Sequence, residues 1–170
     1  YLGLEAERIL SDGEVIELAH PMLSTRWEVL ITPGHCPGHI CLLSDAGLVA
    51  GDMVAGYGTI LIPVEEGRME VYLEQLARLK ALQPRMLFPS HGPVMSLPQK
   101  VFGHYIDHRT ARQLRVLDAV NSGTSDLADI SVAAYADTPD AHPGLARQQT
   151  LSHLLSLQRS GDVQLVGDTW

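Results

Sequence analysis

The sequence predicts a layered α/β fold followed by a helix-rich tail, and three observations carry that prediction. Short apolar runs with strand-like alternation fill the front half, and three of them end in a glycine beside a His or an Asp. A stripe at helical spacing, Met69, Tyr72, Leu73, Leu76, Leu79 and Leu82, stands before the last of those runs. The final third reads helix, helix, helix, turn, strand, which is a winged-helix-like plan.

In chain order, Tyr1 to Leu10 shows no clear period and opens without an initiator Met, which reads as a start inside a longer protein. Ser11-Asp12-Gly13 signals a turn into Glu14 to Leu18, a strand with one wet face, and Ala19 to Ser24 connects it to Trp27 to Ile31 as a hairpin. Thr32-Pro33-Gly34-His35-Cys36-Pro37-Gly38-His39 follows, a loop stiffened by two Pro-Gly pairs that carries two imidazoles. Ile40 to Leu43 and Leu48 to Ala50 pair across the Ser44 to Gly47 turn.

Gly56 to Gly67 is a glycine-containing loop placed to reach over a site at the strand ends. The helix from Met69 ends before Pro84 and buries its stripe on the sheet. Met86 to Phe88 is a short buried strand that delivers His91. Pro98 opens a helix to about Val120, with Val101, Tyr105, His108 and Arg112 along one side. Asn121-Ser122-Gly123 stops it, and Thr124 or Ser125 caps a second helix over Leu127, Ile130, Ala134 and Tyr135. After the break at Thr138-Pro139 a third runs from Leu145 to about Arg159, then Ser160-Gly161-Asp162 turns into a strand, Val163 to Val166. The reading divides the chain into 1–97 and 98–170, with no internal repeat or low-complexity tract.

Composition narrows the function. A net charge of −8 and a pI near 5.4 argue against a broad basic surface for nucleic acid, although a local basic patch would be compatible with both. Aromatics make up 5% of the chain, too few for a base-stacking platform. The two cysteines, Cys36 and Cys41, flank one strand and suit a reducing compartment better than a disulfide framework. With no apolar run long enough for a membrane span and no leader pattern, the expected location is cytoplasmic.

Rigid loops that bring His and Asp to strand ends are what a borderline cation needs, since N and O donors must converge and hold still. His35, Asp52 and His91 are therefore the candidate metal donors. Each has a plainer alternative: His35 as a loop histidine bonded to a carbonyl, Asp52 and His91 as turn caps. His39 begins the next strand and faces away from His35 or nearly so, and its expected role is packing or orienting a neighbour, for example through a hydrogen bond. Tyr57, Thr59, Tyr105, His108 and Arg109 are candidate substrate contacts; His108, Arg109 and Arg112 read either as an anion-binding or domain-joining cluster or, slightly favoured, as a solvated or salt-bridged interdomain face. His20, His104, His142 and His153 show no partner pattern.

These motifs resemble those of the metallo-β-lactamase-fold hydrolases, and the full set, with Gly56-Tyr57-Gly58-Thr59 and Tyr105 to Arg112, is similar to the winged-helix-tailed subgroup, the glyoxalase II-like and β-lactamase-like protein 2-like proteins. The resemblance implies that 1–97 is the C-terminal half of an αββα sandwich and 98–170 a helical linker with a small winged-helix-like α+β domain. It implies that His35 serves a first metal, His91 a second, and that Asp52 bridges the two and is catalytic. Two zinc ions would be the cofactor, with iron or manganese as alternatives. The reaction implied is attack by metal-bound hydroxide on a small ester or thioester.

The family's first metal motif, His-x-His-x-Asp-His, occurs nowhere in these residues. The expectation is thus an N-terminal half or partner chain supplying the other donors, or a homodimer covering the sheet face that half a sandwich would leave bare. Weak metal binding and no turnover are expected of the isolated chain. Two rival functions remain: a phosphodiesterase or ribonuclease, favoured if Arg109 and Arg112 form a basic rim, and a non-catalytic interaction module acting through the tail. A DNA-reading tail is weakly supported, because Leu145 to Arg159 holds only Arg147 and Arg159 as cations.

Overall fold

The computed structural model describes residues 8–20 and 22–170, so the opening stretch 1–7 and Pro21 lie outside the described residues. Five strands form one sheet in the order β1 (Val15–His20), β2 (Leu23–Ile31), β3 (Ile40–Ser44), β4 (Gly47–Gly51), β5 (Leu87–Pro89). The first four are antiparallel neighbours, as short turns dictate, and β5 joins β4 in parallel. The helix α1 (Met69–Ala81) makes that parallel crossover. Three further helices follow: α2 (Pro98–Asn121), α3 (Leu127–Ala134) and α4 (Pro143–Ser160). Among the described residues no helix is long and apolar enough to cross a membrane.

Alternation along each strand sends one set of side chains toward α1. Leu30, Cys41, Leu48, Ala50 and Leu87 join Met69, Tyr72, Leu76 and Leu79 in a core that also takes Phe102 and Tyr105 from α2. The opposite face carries an apolar row fixed by register, Val29 beside Leu42, Leu42 beside Val49, Val49 beside Phe88. Val49 and the nearby Ile40 are each 36% exposed.

A second core gathers Val116, Ala119, Ile130, Ala134, Leu154, Leu157 and Val163. The buried stripe of α2 runs through Phe102, Tyr105, Arg109, Arg112 and Val116, so one helix belongs to both cores. Two details differ from the sequence expectation. The cap of α3 is Asp126 rather than Thr124 or Ser125: its carboxylate accepts from the backbone N–H groups of Ala128 (2.7 Å) and Asp129 (3.3 Å). No ladder forms over Val163 to Val166; Val166 and Thr169 make an isolated bridge, because among the described residues no second strand lies beside this run.

Candidate metal centre

The loop 32–39 is closed by the Thr32 N–H, which donates to the His39 carbonyl at 2.9 Å. Within it, His35 Nδ1 lies 2.8 Å from the Leu61 carbonyl. A carbonyl only accepts, so Nδ1 carries a proton, and in the neutral ring Nε2 holds the lone pair. That lone pair stands 3.6 Å from Asp52 Oδ2, and on the other side of the carboxylate His91 Nε2 stands 3.5 Å from Oδ1. These separations exceed a hydrogen bond.

His39 is fixed differently. Its Nε2 accepts from the Asp52 N–H at 2.9 Å and its Nδ1 contacts Thr32 Oγ1 at 2.8 Å, while its ring lies edge-on to that of His35, 6.2 Å between centroids. Burial first, then the neighbouring His35, holds His39 below the usual imidazole range. The packing leaves no room for a side chain at residue 51, where a Cβ on Gly51 would fall 2.5 Å from His39 Nε2.

Asp52 sits at the β4 end, on a segment tied down from several directions. Tyr72 Oη donates to the Met53 carbonyl (2.7 Å), Tyr105 Oη exchanges bonds with the N–H and carbonyl of Ala55 (2.9 and 3.1 Å), and the Gly56 N–H donates to the His91 carbonyl (2.8 Å). The last contact needs two glycines back to back, since a Cβ on Gly92 would lie 2.7 Å from the Gly56 Cα.

His35, Asp52 and His91 thus form a row with the carboxylate in the middle. Asp52 Oδ1 is buried and has no hydrogen-bond partner among the described residues. A carboxylate facing an unprotonated imidazole nitrogen is acceptor against acceptor, which a second proton on the ring or a shared cation resolves. The donor set therefore fits a divalent cation. It does not complete a site: among the described residues no group of three or more His, Cys, Asp or Glu side chains forms a ready cage for an ion.

The candidate substrate contacts separate into three cases. Thr59, Tyr105 and His108 line a cavity of about 210 Å³ together with Gly58 and His104. Tyr57 is 75% exposed and is not part of that lining. Arg109 is buried, its guanidinium donating to Gln149 Oε1 and Thr59 Oγ1 (both 2.8 Å) and to the Ile60 carbonyl. Arg112 is buried too, paired with Asp137 at 2.7 Å and packed on the Tyr135 ring. The two arginines turn inward, so they do not make the basic rim that would mark a phosphate-backbone site. A larger depression of about 1010 Å³, lined by Arg26, Trp27, Asp45 and Arg85 among others, lies apart from the donor row.

Three contributors escaped the sequence reading. His104 stacks near His108 with centroids 6.2 Å apart, and its i, i+4 spacing was a signal available for finding it. Thr32 and Gln149 gave none, since each acts on a partner distant in sequence or reached only through the fold.

The metallo-beta-lactamase superfamily model matches residues 7–91. A beta-lactamase-like protein 2 homolog of Drosophila melanogaster is 30% identical over 141 residues, covering 81% of this chain and 47% of its own. An atrochrysone carboxyl ACP thioesterase of Aspergillus fumigatus is 29% identical over 119 residues, covering 69% and 35%. Among solved structures, a metallo-beta-lactamase family protein of Thermus thermophilus superposes with a TM-score of 0.76 at 25% identity, covering 94% of this chain and 51% of that one. A beta-lactamase domain protein of Burkholderia ambifaria gives 0.75 at 27%, covering 91% and 47%. The chain spans about half the length of the beta-lactamase-like and structural relatives it matches, and about a third of the thioesterase. A family match through β1 to β5 and His91, carried on the same mixed sheet and helices as those structures, means that the chain belongs to the metallo-beta-lactamase superfamily.

Proposed function

We propose that this chain supplies one side of a metal centre that hydrolyses a small ester or thioester. The observation that carries the reading is the Asp52 carboxylate, standing between the Nε2 atoms of His35 and His91 with one buried oxygen unpartnered. His35, Asp52 and His91 would hold the metal. Zinc bound by such donors supplies a Lewis acid and lowers the pKa of a coordinated water to about 7; iron and manganese accept the same ligands.

The residues of this chain position the donors. The Leu61 carbonyl sets the His35 tautomer, His39 holds the Asp52 backbone, and the Gly56 N–H anchors the turn that carries His91. Ligands locked in this way lose little freedom on binding. Three donors are fewer than two cations need, and the remainder would come from elsewhere, such as a partner chain. That partner would also cover the exposed part of the apolar row, Leu42, Val49 and Phe88 with Ile40.

A small substrate is supported by the net charge of −8, the inward-turned arginines and a thioesterase among the relatives. A nucleic-acid-reading tail is disfavoured, since α4 buries Gln149, Ser152, His153, Leu154 and Ser156, leaving little of its surface free for a groove.

The test is zinc titration and thioester hydrolysis, with the chain alone and with the donor-supplying partner present. Alone, the chain is expected to bind zinc weakly and not turn over. With the partner, hydrolysis appears and Asp52→Asn lowers it by about 100-fold or more. Full activity in the Asp52→Asn protein overturns the reading.

A further inference from the structure

Among the described residues Arg109 is a buried charge without a counter-charge. It is 1% exposed, yet its hydrogen bonds go to neutral acceptors, Gln149, Thr59 and the Ile60 carbonyl, and its Nε has no partner among the described residues. Arg112, one turn on, differs in being matched by Asp137 at 2.7 Å. Burying an unpaired guanidinium is costly, and a fold that retains one keeps a positive potential around it.

One wall of the cavity of about 210 Å³ meets that potential through Thr59. Thr59 Oγ1 accepts from Arg109, which leaves its own hydroxyl hydrogen free to donate. From α2 come His104 and His108, stacked with 24° between their planes, and among the described residues the lining includes no acidic one. Burial first, then the charges of Arg109, Arg112 and His104, hold His108 below its ordinary value; Asp137 acts in the opposite sense but is bonded to Arg112. Such surroundings oppose a cation between the two imidazoles and favour an anion.

We propose that this cavity binds a small oxyanion, a carboxylate or phosphate group, held by the imidazole N–H groups of His104 and His108 and the hydroxyl of Thr59, its charge offsetting that of Arg109. The cavity is below the ~300–1,000 Å³ of sites that enclose a whole drug-sized ligand, so it takes a head group. Its wall at Gly58 and Thr59 lies two and three residues beyond Gly56, whose N–H is bonded to the His91 carbonyl, on the loop that also braces the donor row. The anion would then be the charged end of the ester or thioester. That assignment rests on the hydrolase reading, whereas binding of the anion does not.

The experiment follows the imidazole Cε1–H resonances of the purified protein during titration with inorganic phosphate and, separately, acetate, against chloride at matched ionic strength. His104 and His108 are expected to shift together and saturably with at least one oxyanion and not with chloride, and the tighter of the two identifies phosphate or carboxylate. His108→Gln is expected to weaken binding by roughly tenfold or more. His104 is exposed, so His104→Ala tests the same site without burdening the fold, and a several-fold loss is expected there. No saturable shift with either oxyanion, a response equal to that of chloride, or unchanged binding in both variants overturns the proposal. Because the readout is binding, its failure alongside Asp52-dependent hydrolysis would remove this inference alone.

Discussion

His39 is spent on the Asp52 backbone: with Nε2 accepting from that N–H and Nδ1 against Thr32, both ring nitrogens are engaged. Removing it frees the segment that aims the carboxylate without deleting a donor. His39→Ala is expected to weaken zinc binding by about 10- to 100-fold, measured by competition with a chromophoric chelator in the protein with its donor set complete, while circular dichroism remains helical. An unchanged affinity would show that Asp52 is held by other bonds alone. At this scale the sequence discloses candidate donors with local signatures, the Pro-Gly loop around His35 and the glycines beside Asp52 and His91. It hides residues whose role depends on the fold. Gln149 meets Ile62 and Arg109 only because α4 packs beside that loop, and nothing near it in the chain announces this.

Between elements, α2 and α4 meet over a buried His153, whose Nδ1 is 3.4 Å from Gln113 Oε1 and whose Nε2 is unpartnered among the described residues. Burial, reinforced by the charges of Arg109 and Arg112, pushes its pKa down to about 3. A folded value below the unfolded one means that the unfolded chain takes up a proton first. Stability is then complete above about pH 6.5 and falls as pH drops toward 3, by about 2 kcal/mol at pH 5 from this group. Urea unfolding of His153→Gln and wild type at pH 7.5 and 5 is expected to show a smaller loss in the variant; equal losses refute it.

Element existence was legible because periods of 2 and 3.6 are written locally, as in Met69 to Leu79. Less legible were ends and pairings: Asp126 outcompetes its neighbours as a cap, and Val163 to Val166 has strand residues but no strand beside it.

For the whole molecule, the sheet face opposite α1 is the surface that the proposed association would use. Val49 lies at its centre, between Leu42 and Phe88, and points away from the core that holds Leu48 and Ala50. Native mass spectrometry is expected to find the chain associated, with itself or with the partner that completes the site, and Val49→Lys is expected to release the 18.5 kDa species. A wild-type chain that is already monomeric would sink this expectation. Burial could be anticipated for the α1 side, whose stripe demands a sheet, whereas what covers the far side is not encoded in local pattern at all.

The boundary between two cores falls within α2, whose 24 residues span about 36 Å. Phe102 and Tyr105 are embedded in one core, Val116 and Ala119 in the other, with Arg109 bonded to the 59–60 loop midway. A rod clamped at both ends has no pivot. A change that loosens one core therefore also frees part of the helix against which the other is packed.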